Sequence, residues 1–258
     1  MSTGNYFGPG VDAGRYAKAR PSVHSSAIER FRLAARIAVP FARALDVGCG
    51  TGHSTVALAS IADSVVGVDP STEMLSHAVA HSKVRYQRAS AESLPFPDGG
   101  FDLITAALAF HWFDASAFLA ESRRVLRSPG WLLIYTSGFT GEVLEEPAFS
   151  AWFRGEFLTR YPTPARKSTV LNPSLAEGNG LAWVGEESFS NDVEMTIDTF
   201  VDYELSTTNI IAAAERSHLE LRQAEAWMRE SLVSLLTPRH KGTFRFVGKA
   251  VFLKKQAG

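Results

Sequence analysis

Two carboxylates stand where apolar runs end, Asp46 in RALDVGCGTG and Asp69 in SVVGVD, and a third, Glu92 in RASAESLPFPDGGFDL, follows the end of a further strand. Asp46 leads into Gly48, Gly50 and Gly52 at alternate positions. Glycine loses more backbone freedom on folding than any other residue, so this spacing marks a turn that something approaches closely. A strand, a glycine turn and a helix start together suit a nucleotide-type ligand, because the helix offers unpaired N–H groups. A dinucleotide fingerprint would read G-x-G-x-x-G, but here His53 stands where its third glycine would fall. No Gly-Lys-Ser/Thr follows, so the turn is not a P-loop. Asp69 lies 69 − 50 = 19 residues beyond Gly50, close to the offset of about 20 at which a carboxylate reaches ribose hydroxyls.

Other residues invite chemistry and lose it on inspection. Cys49 is the single cysteine and has no partner thiol. His77 and His81 are spaced like metal ligands on a helix, but no third ligand accompanies them, and a solvent-facing edge accounts for both. No metal is expected.

The elements that must hold these residues alternate. Residues 25–38 read as an amphipathic helix with Ile28, Phe31 and Ala35 on one face. Strands follow at RALDV, SVVGV, VRYQR, FDLITAA and GWLLIYTS. Between them lie helices at HSTVALAS, at STEMLSHAVAHS with Ser71 as N-cap, and at DASAFLAESRRVLR, capped by Asp114 and stopped before Pro129. Strands alternating with helices imply right-handed crossovers and a mostly parallel, doubly covered sheet. The rhythm breaks after Ser137. DVEMTID reads as a further strand, residues 209–236 as helix, and TFRFVGKAVFLKK as a strand at a sheet edge. Two inserts result, at 138–180 and 199–237. Trp152, Phe153, Phe157 and Tyr161 read as insert core, some of them facing an acceptor pocket.

Composition bounds the class. The chain has 258 residues, 45% hydrophobic and 21% charged, with formal net charge −1. That balance fits a soluble globular protein and offers nothing to nucleic acid or an anionic membrane. MSTGNYFGPG has no basic start followed by an apolar run, so no signal peptide is expected. One cysteine fits a reducing compartment, and the expected location is cytoplasmic.

With LDVGCGTG, GVDPSTEML, AESLPFPDGGFDL and ALAFHWFD in order between residues 45 and 114, the chain resembles the class I S-adenosylmethionine-dependent methyltransferases, small-molecule branch. Arg20-Pro21, HWFD and the helical second insert look most like the trans-aconitate methyltransferase subgroup. Val23 and His24 depart from that subgroup's RPxYP pattern. The resemblance implies an α/β fold: a doubly wound, seven-stranded, mostly parallel sheet with its last strand antiparallel, in a single domain over 1–258. Its parts would be a lid and helix at 1–40, a cofactor core at 41–137, and inserts capping the C-terminal strand ends. It implies S-adenosyl-L-methionine as cofactor. Gly48, Gly50, Thr51 and Gly52 would lie under its methionine and ribose, with Asp46 reaching the ammonium through water and Asp69 holding the ribose. Pro70 and Met74 would pack on the adenine, Ala91 and Glu92 would meet its edge, and Ala107 would end a strand at the methionine. His111 would be the one candidate base, with Trp112, Tyr6, Tyr16 and Arg20 toward a small-molecule acceptor.

The implied activity is O-methylation of an organic acid or similar metabolite, by a monomer or homodimer. The alternatives are C- or N-methylation of a quinone, sterol or natural product, or a cofactor-binding regulator without catalysis. Residues 1–24 are Gly- and Pro-rich yet hold Tyr6, Phe7, Tyr16 and Arg20, as a lid over the cofactor would. Limited proteolysis at Arg15–Arg20 is expected to slow when the cofactor is added. Equal cleavage with and without it would instead indicate a static strap.

Overall fold

The computed structural model describes residues 13–165, 169–217, 221–236 and 239–256. The chain begins with α1 (Ala13–Ala19) and α2 (His24–Ala34), then β1 (Phe41–Val47), α3 (His53–Leu58), β2 (Ala62–Asp69), α4 (Thr72–Ser76), β3 (Val84–Arg88) and β4 (Phe101–Ala107). A 3-10 turn (Phe110–Trp112), α5 (Ala115–Val125) and β5 (Leu126–Val143) follow. Next come α6 (Pro147–Trp152), a π-helical turn (Phe153–Phe157), α7 (Leu158–Arg160), α8 (Pro173–Gly178) and β6 (Leu181–Thr196). The chain closes with α9 (Ile197–Leu205), α10 (Thr208–Ser217), α11 (Leu221–Leu235) and β7 (Lys241–Lys255).

One mixed, mostly parallel sheet carries the strands in the order β3-β2-β1-β4-β5-β7-β6. The β1–β2, β1–β4, β2–β3 and β4–β5 pairs are parallel. The partners of β7 run backwards along β5. Gly248 abuts the Thr136 carbonyl, the Thr140 hydroxyl donates to the Arg245 carbonyl at 3.0 Å, and Leu144 N–H donates to Thr243 at 3.0 Å. The strand is therefore antiparallel to β5, as the resemblance implied.

Its place differs from the sequence reading. β7 lies inside the sheet, and β6 forms the edge. β6 also begins at Leu181, eleven residues before the segment read as a strand. Gly185, Glu186 and Glu187 hide its start, but an edge strand needs only one buried face. Lys249 Nζ pairs there with Glu186 at 2.6 Å. β5 likewise runs on to Val143, into the stretch taken for an insert. The C-terminal helix is described on either side of residues 218–220, as α10 and α11. α4 stops at Ser76, although Ser71 caps it as expected by accepting from Met74 N–H. The chain beyond α4 is drawn back to the glycine turn, since Val79 N–H donates to the Thr51 carbonyl at 3.0 Å. His77 and His81 therefore share no helix; both are exposed, and no metal-binding cluster occurs among the described residues.

The chain divides into two compact units. The first comprises Ser22–Ser137, Lys167–Phe189 and Gly248–Gly258, and carries every strand end of the glycine turn. Two apolar clusters fill it. One is built on Leu45, Ile104, Phe118, Leu132 and Leu253, the other on Phe31, Ala44, Val65, Leu133 and Phe252. The second comprises Met1–Pro21, Gly138–Arg166 and Ser190–Val247. Its core is aromatic: Phe139 meets Phe149, Phe153, Phe200, Phe244 and Phe246 within 6.0 Å. Trp152, Phe153, Phe157 and Tyr161 are all buried, as the insert-core reading expected.

In the first unit, His24 Nδ1 and the Tyr135 hydroxyl share a buried hydrogen bond of 2.9 Å. Burial, then the neighbouring His53, lowers the His24 imidazole to about 4. The folded state thus resists protonation of His24 relative to the unfolded chain. Its contribution is complete above pH 6.5 and is lost as pH falls from 6.5 toward 4. The loss is expected to reach about 3 kcal/mol. Urea melts across that range should show a shallower acid decline for His24→Gln than for the parent.

Candidate cofactor site

The site is assembled where β1, β2 and β4 end. Asp46, fully buried at the end of β1, accepts from Ser54 Oγ at 2.5 Å, Thr55 Oγ1 at 2.7 Å and Thr105 Oγ1 at 2.7 Å. Those hydroxyls come from α3 and β4, so one carboxylate ties three elements at the turn. Burial pushes the Asp46 carboxyl up, and the three hydroxyls oppose it.

Gly48, Gly50 and Gly52 all have positive φ, at 70°, 53° and 81°. Each lies in the region that disfavours side chains, but their surroundings differ. A Cβ on Gly48 would stand 2.7 Å from Ala109 Cβ and 2.9 Å from Phe113 Cζ. A Cβ on Gly52 would enter the Tyr86 ring, 2.7 Å from Cζ. Only Gly50 opens outward, with the Met74 methyl at 3.2 Å as its sole near neighbour. Protein side chains thus fill the side-chain space at Gly48 and Gly52, whereas that at Gly50 meets only the Met74 methyl.

Tyr86 was not singled out by the sequence. It faces Gly67 in the β2–β3 register, its ring covers that glycine, and its hydroxyl donates to the Val79 carbonyl at 2.7 Å. The signal was present as a glycine inside the β2 run, a place where another group approaches closely. Cys49 Sγ lies against the same glycine, 3.0 Å from where its Cβ would be. Burial, then the Asp46 and Asp69 carboxylates, push its thiol far up, which leaves it neutral and poorly nucleophilic.

Asp69 ends β2 half-buried. One oxygen accepts from Gly50 N–H at 2.9 Å, the other from Ser71 N–H at 2.9 Å. Burial raises its carboxyl, and these two bonds oppose it. A carboxylate offers about four acceptor positions, so two remain. Pro70 is exposed beside it, and Met74 is buried under Gly50. The Ala91 side chain belongs to the core. Glu92 is exposed and accepts from Asp114 N–H at 3.1 Å.

β4 ends at Ala107, buried, and the next residue, Leu108, has φ 56°. A left-handed leucine is uncommon, and such strain gathers at ligand sites. Leu108 N–H donates to the Tyr135 carbonyl at 2.9 Å, which fixes the reversal. His111 and Trp112 follow on the 3-10 turn, ring centroids 4.8 Å apart, with Trp112 37% exposed. Tyr16 and Arg20 meet each other in the second unit, the guanidinium 4.4 Å from the Tyr16 ring and 5.3 Å from that of Tyr203. Arg20 Nη2 also donates to the Ser206 carbonyl at 2.8 Å. Tyr6 and Phe7 lie outside the described residues.

Residues 45–134 match the family model described as a methyltransferase domain. That span contains the glycine turn, Asp69, Ala91, Glu92 and the end of β4. The matched residues resemble a methyltransferase domain, and the sheet around them is a Rossmann-like methyltransferase fold. The chain is 39% identical over 149 residues to the uncharacterized methyltransferase YcgJ of Bacillus subtilis, covering 55% of this chain and 57% of that one. It is 25% identical over 244 residues to CRG1 of Saccharomyces cerevisiae, provisionally named as an S-adenosylmethionine-dependent methyltransferase, covering 87% and 78%. A solved structure from Anaeromyxobacter dehalogenans, provisionally named as a type II methyltransferase, superposes with TM-score 0.65 at 26% identity. It covers 88% of this chain and 95% of that one. Matches to three curated relatives span 36%, 57% and 63% of their lengths.

The unequal glycines predict unequal effects of substitution. Gly50→Ala should fold, losing about 1–2 kcal/mol to its left-handed backbone, and should bind ligand poorly. Gly52→Ala should lose more stability, because its methyl displaces Tyr86. Thermal melts beside ligand titrations check both. Equal destabilisation would show that Gly50 is also packed against protein.

Proposed function

We propose that this protein transfers a methyl group from S-adenosylmethionine to a small-molecule acceptor. The observation that carries this is the open face at Gly50 beside Asp69, whose carboxylate keeps two acceptor positions. Those positions suit the paired hydroxyls of a ribose, which Asp69 would hold. Met74 and Pro70 would bound the base, and the backbone at Ala91 with Glu92 would meet its edge. Asp46, already engaged by three hydroxyls, serves chiefly to hold the turn and has one acceptor position for an ammonium. Thr51 acts through its carbonyl, which anchors Val79.

When bound, the sulfonium supplies an activated methyl: the acceptor lone pair bonds to carbon as the carbon–sulfur bond breaks, leaving a neutral thioether. The chain's task is to align the partners and exclude water. Ala107 and Leu108 present the end of β4 to the methionine portion, and His111 and Trp112 face the acceptor. His111 is the one ionisable side chain between Ala107 and Phe113. A carboxylate acceptor needs no base, whereas a hydroxyl would call on His111. We therefore favour O-methylation of a small organic acid.

Calorimetric titration with S-adenosylhomocysteine should show one saturable site. Asp69→Ala should weaken it by about 1–3 kcal/mol, the range for hydrogen bonds to a charged group. Absence of binding at millimolar ligand would overturn the proposal.

A further inference from the structure

The segment that carries Ala91 and Glu92 has no regular structure of its own and depends on α5 along its length. At its start, Glu92 Oε1 accepts from Asp114 N–H, at the N-cap of α5. In its middle, Leu94 N–H donates to Glu121 Oε2 at 2.8 Å. Arg124 Nη2 donates to the Leu94 carbonyl at 2.9 Å, and Nη1 to the Phe96 carbonyl at 2.7 Å and to Asp98 Oδ1 at 2.9 Å. At its end, Gly99 N–H donates to the Arg124 carbonyl at 3.0 Å. Glu121 orients the guanidinium, accepting from Nε at 2.7 Å and Nη2 at 2.9 Å. One planar fork thus fixes two loop carbonyls and a loop carboxylate together. A lysine cannot reproduce that geometry, because its ammonium is a single point charge.

We propose that Arg124 is a positioning residue for base recognition: by fixing residues 92–99 it sets where the loop meets the adenine edge, and so the preference for an adenosyl ligand. This rests on the assignment of Ala91 and Glu92 to that edge. Arg124 touches no ligand and acts through the Leu94 and Phe96 carbonyls. Recognition of an exocyclic amine depends on donor–acceptor distance, so a loop released by a few tenths of an ångström discriminates poorly while the ribose and methionine contacts persist.

The test compares S-adenosylhomocysteine with its 6-oxo analogue, in which a carbonyl oxygen replaces the amine, by calorimetry on the parent and on Arg124→Ala. The ratio of the two dissociation constants is expected to fall about tenfold in the variant, the worth of one charged hydrogen bond. Hydrogen exchange in the free protein should show faster exchange at the Leu94 and Gly99 amides. If Arg124→Ala fails to fold, Arg124→Lys keeps the charge, loses the fork and is expected to shift the ratio the same way. An unchanged ratio in a folded variant overturns the inference and leaves the cofactor proposal standing. A parent that binds neither ligand overturns both.

Discussion

A buried carboxylate with three hydroxyl partners governs this architecture. Asp46 loses its water on folding, which costs several kcal/mol. Each hydroxyl bonded to a charged acceptor returns about 1.5–3 kcal/mol. The two sides nearly cancel, so Asp46 adds little net stability. Its effect is geometric. It lies opposite Thr105 in the β1–β4 register and Gly67 in the β1–β2 register. A slip of one residue in either pair would turn Asp46 to the other face and strand the charge. The alignment of the strand ends, and with it the distance from the glycine turn to Leu108, follows from that penalty.

The turn is then tightened from outside rather than by its own sequence. Tyr86 crosses Gly67 to reach Gly52 and binds Val79, while Val79 binds Thr51. Phe113 closes on Gly48 from the other side. Aromatic rings therefore occupy two of the three side-chain spaces, and the third, at Gly50, meets only the Met74 methyl. The glycines allow dense packing around a single opening, which a uniformly open loop would not provide.

Much of the first unit was legible because it obeys local rules. Strand runs without polar alternation marked doubly covered strands, Ser71 and Asp114 marked helix starts, and the spacing from Gly50 to Asp69 picked out two residues that the fold joins by a hydrogen bond. Their partners were not legible. Tyr86 meets Gly67 and Gly52, and Arg124 the residues 94–98, all 19 or more positions away in the chain, and no periodicity announces such a pairing. Leu108 was missed for the opposite reason: its strain is a property of backbone torsion, which its side-chain type conceals. The start of β6 was lost because an edge strand carries charge on its open face, as a loop does. The inserts were recognised by their aromatics, yet those rings pack on one another around Phe139, a residue with no local pattern.

Cys49 carries a consequence of a different kind. It is the chain's only cysteine, and it is buried beside two carboxylates that keep its thiol protonated. Maleimides, iodoacetamides and peroxide all require thiolate and access. The natural sequence therefore behaves as a cysteine-free scaffold toward such reagents. A cysteine placed on any exposed loop would be its single labelling point, so fluorophores or spin labels could report on this protein without first removing a native residue.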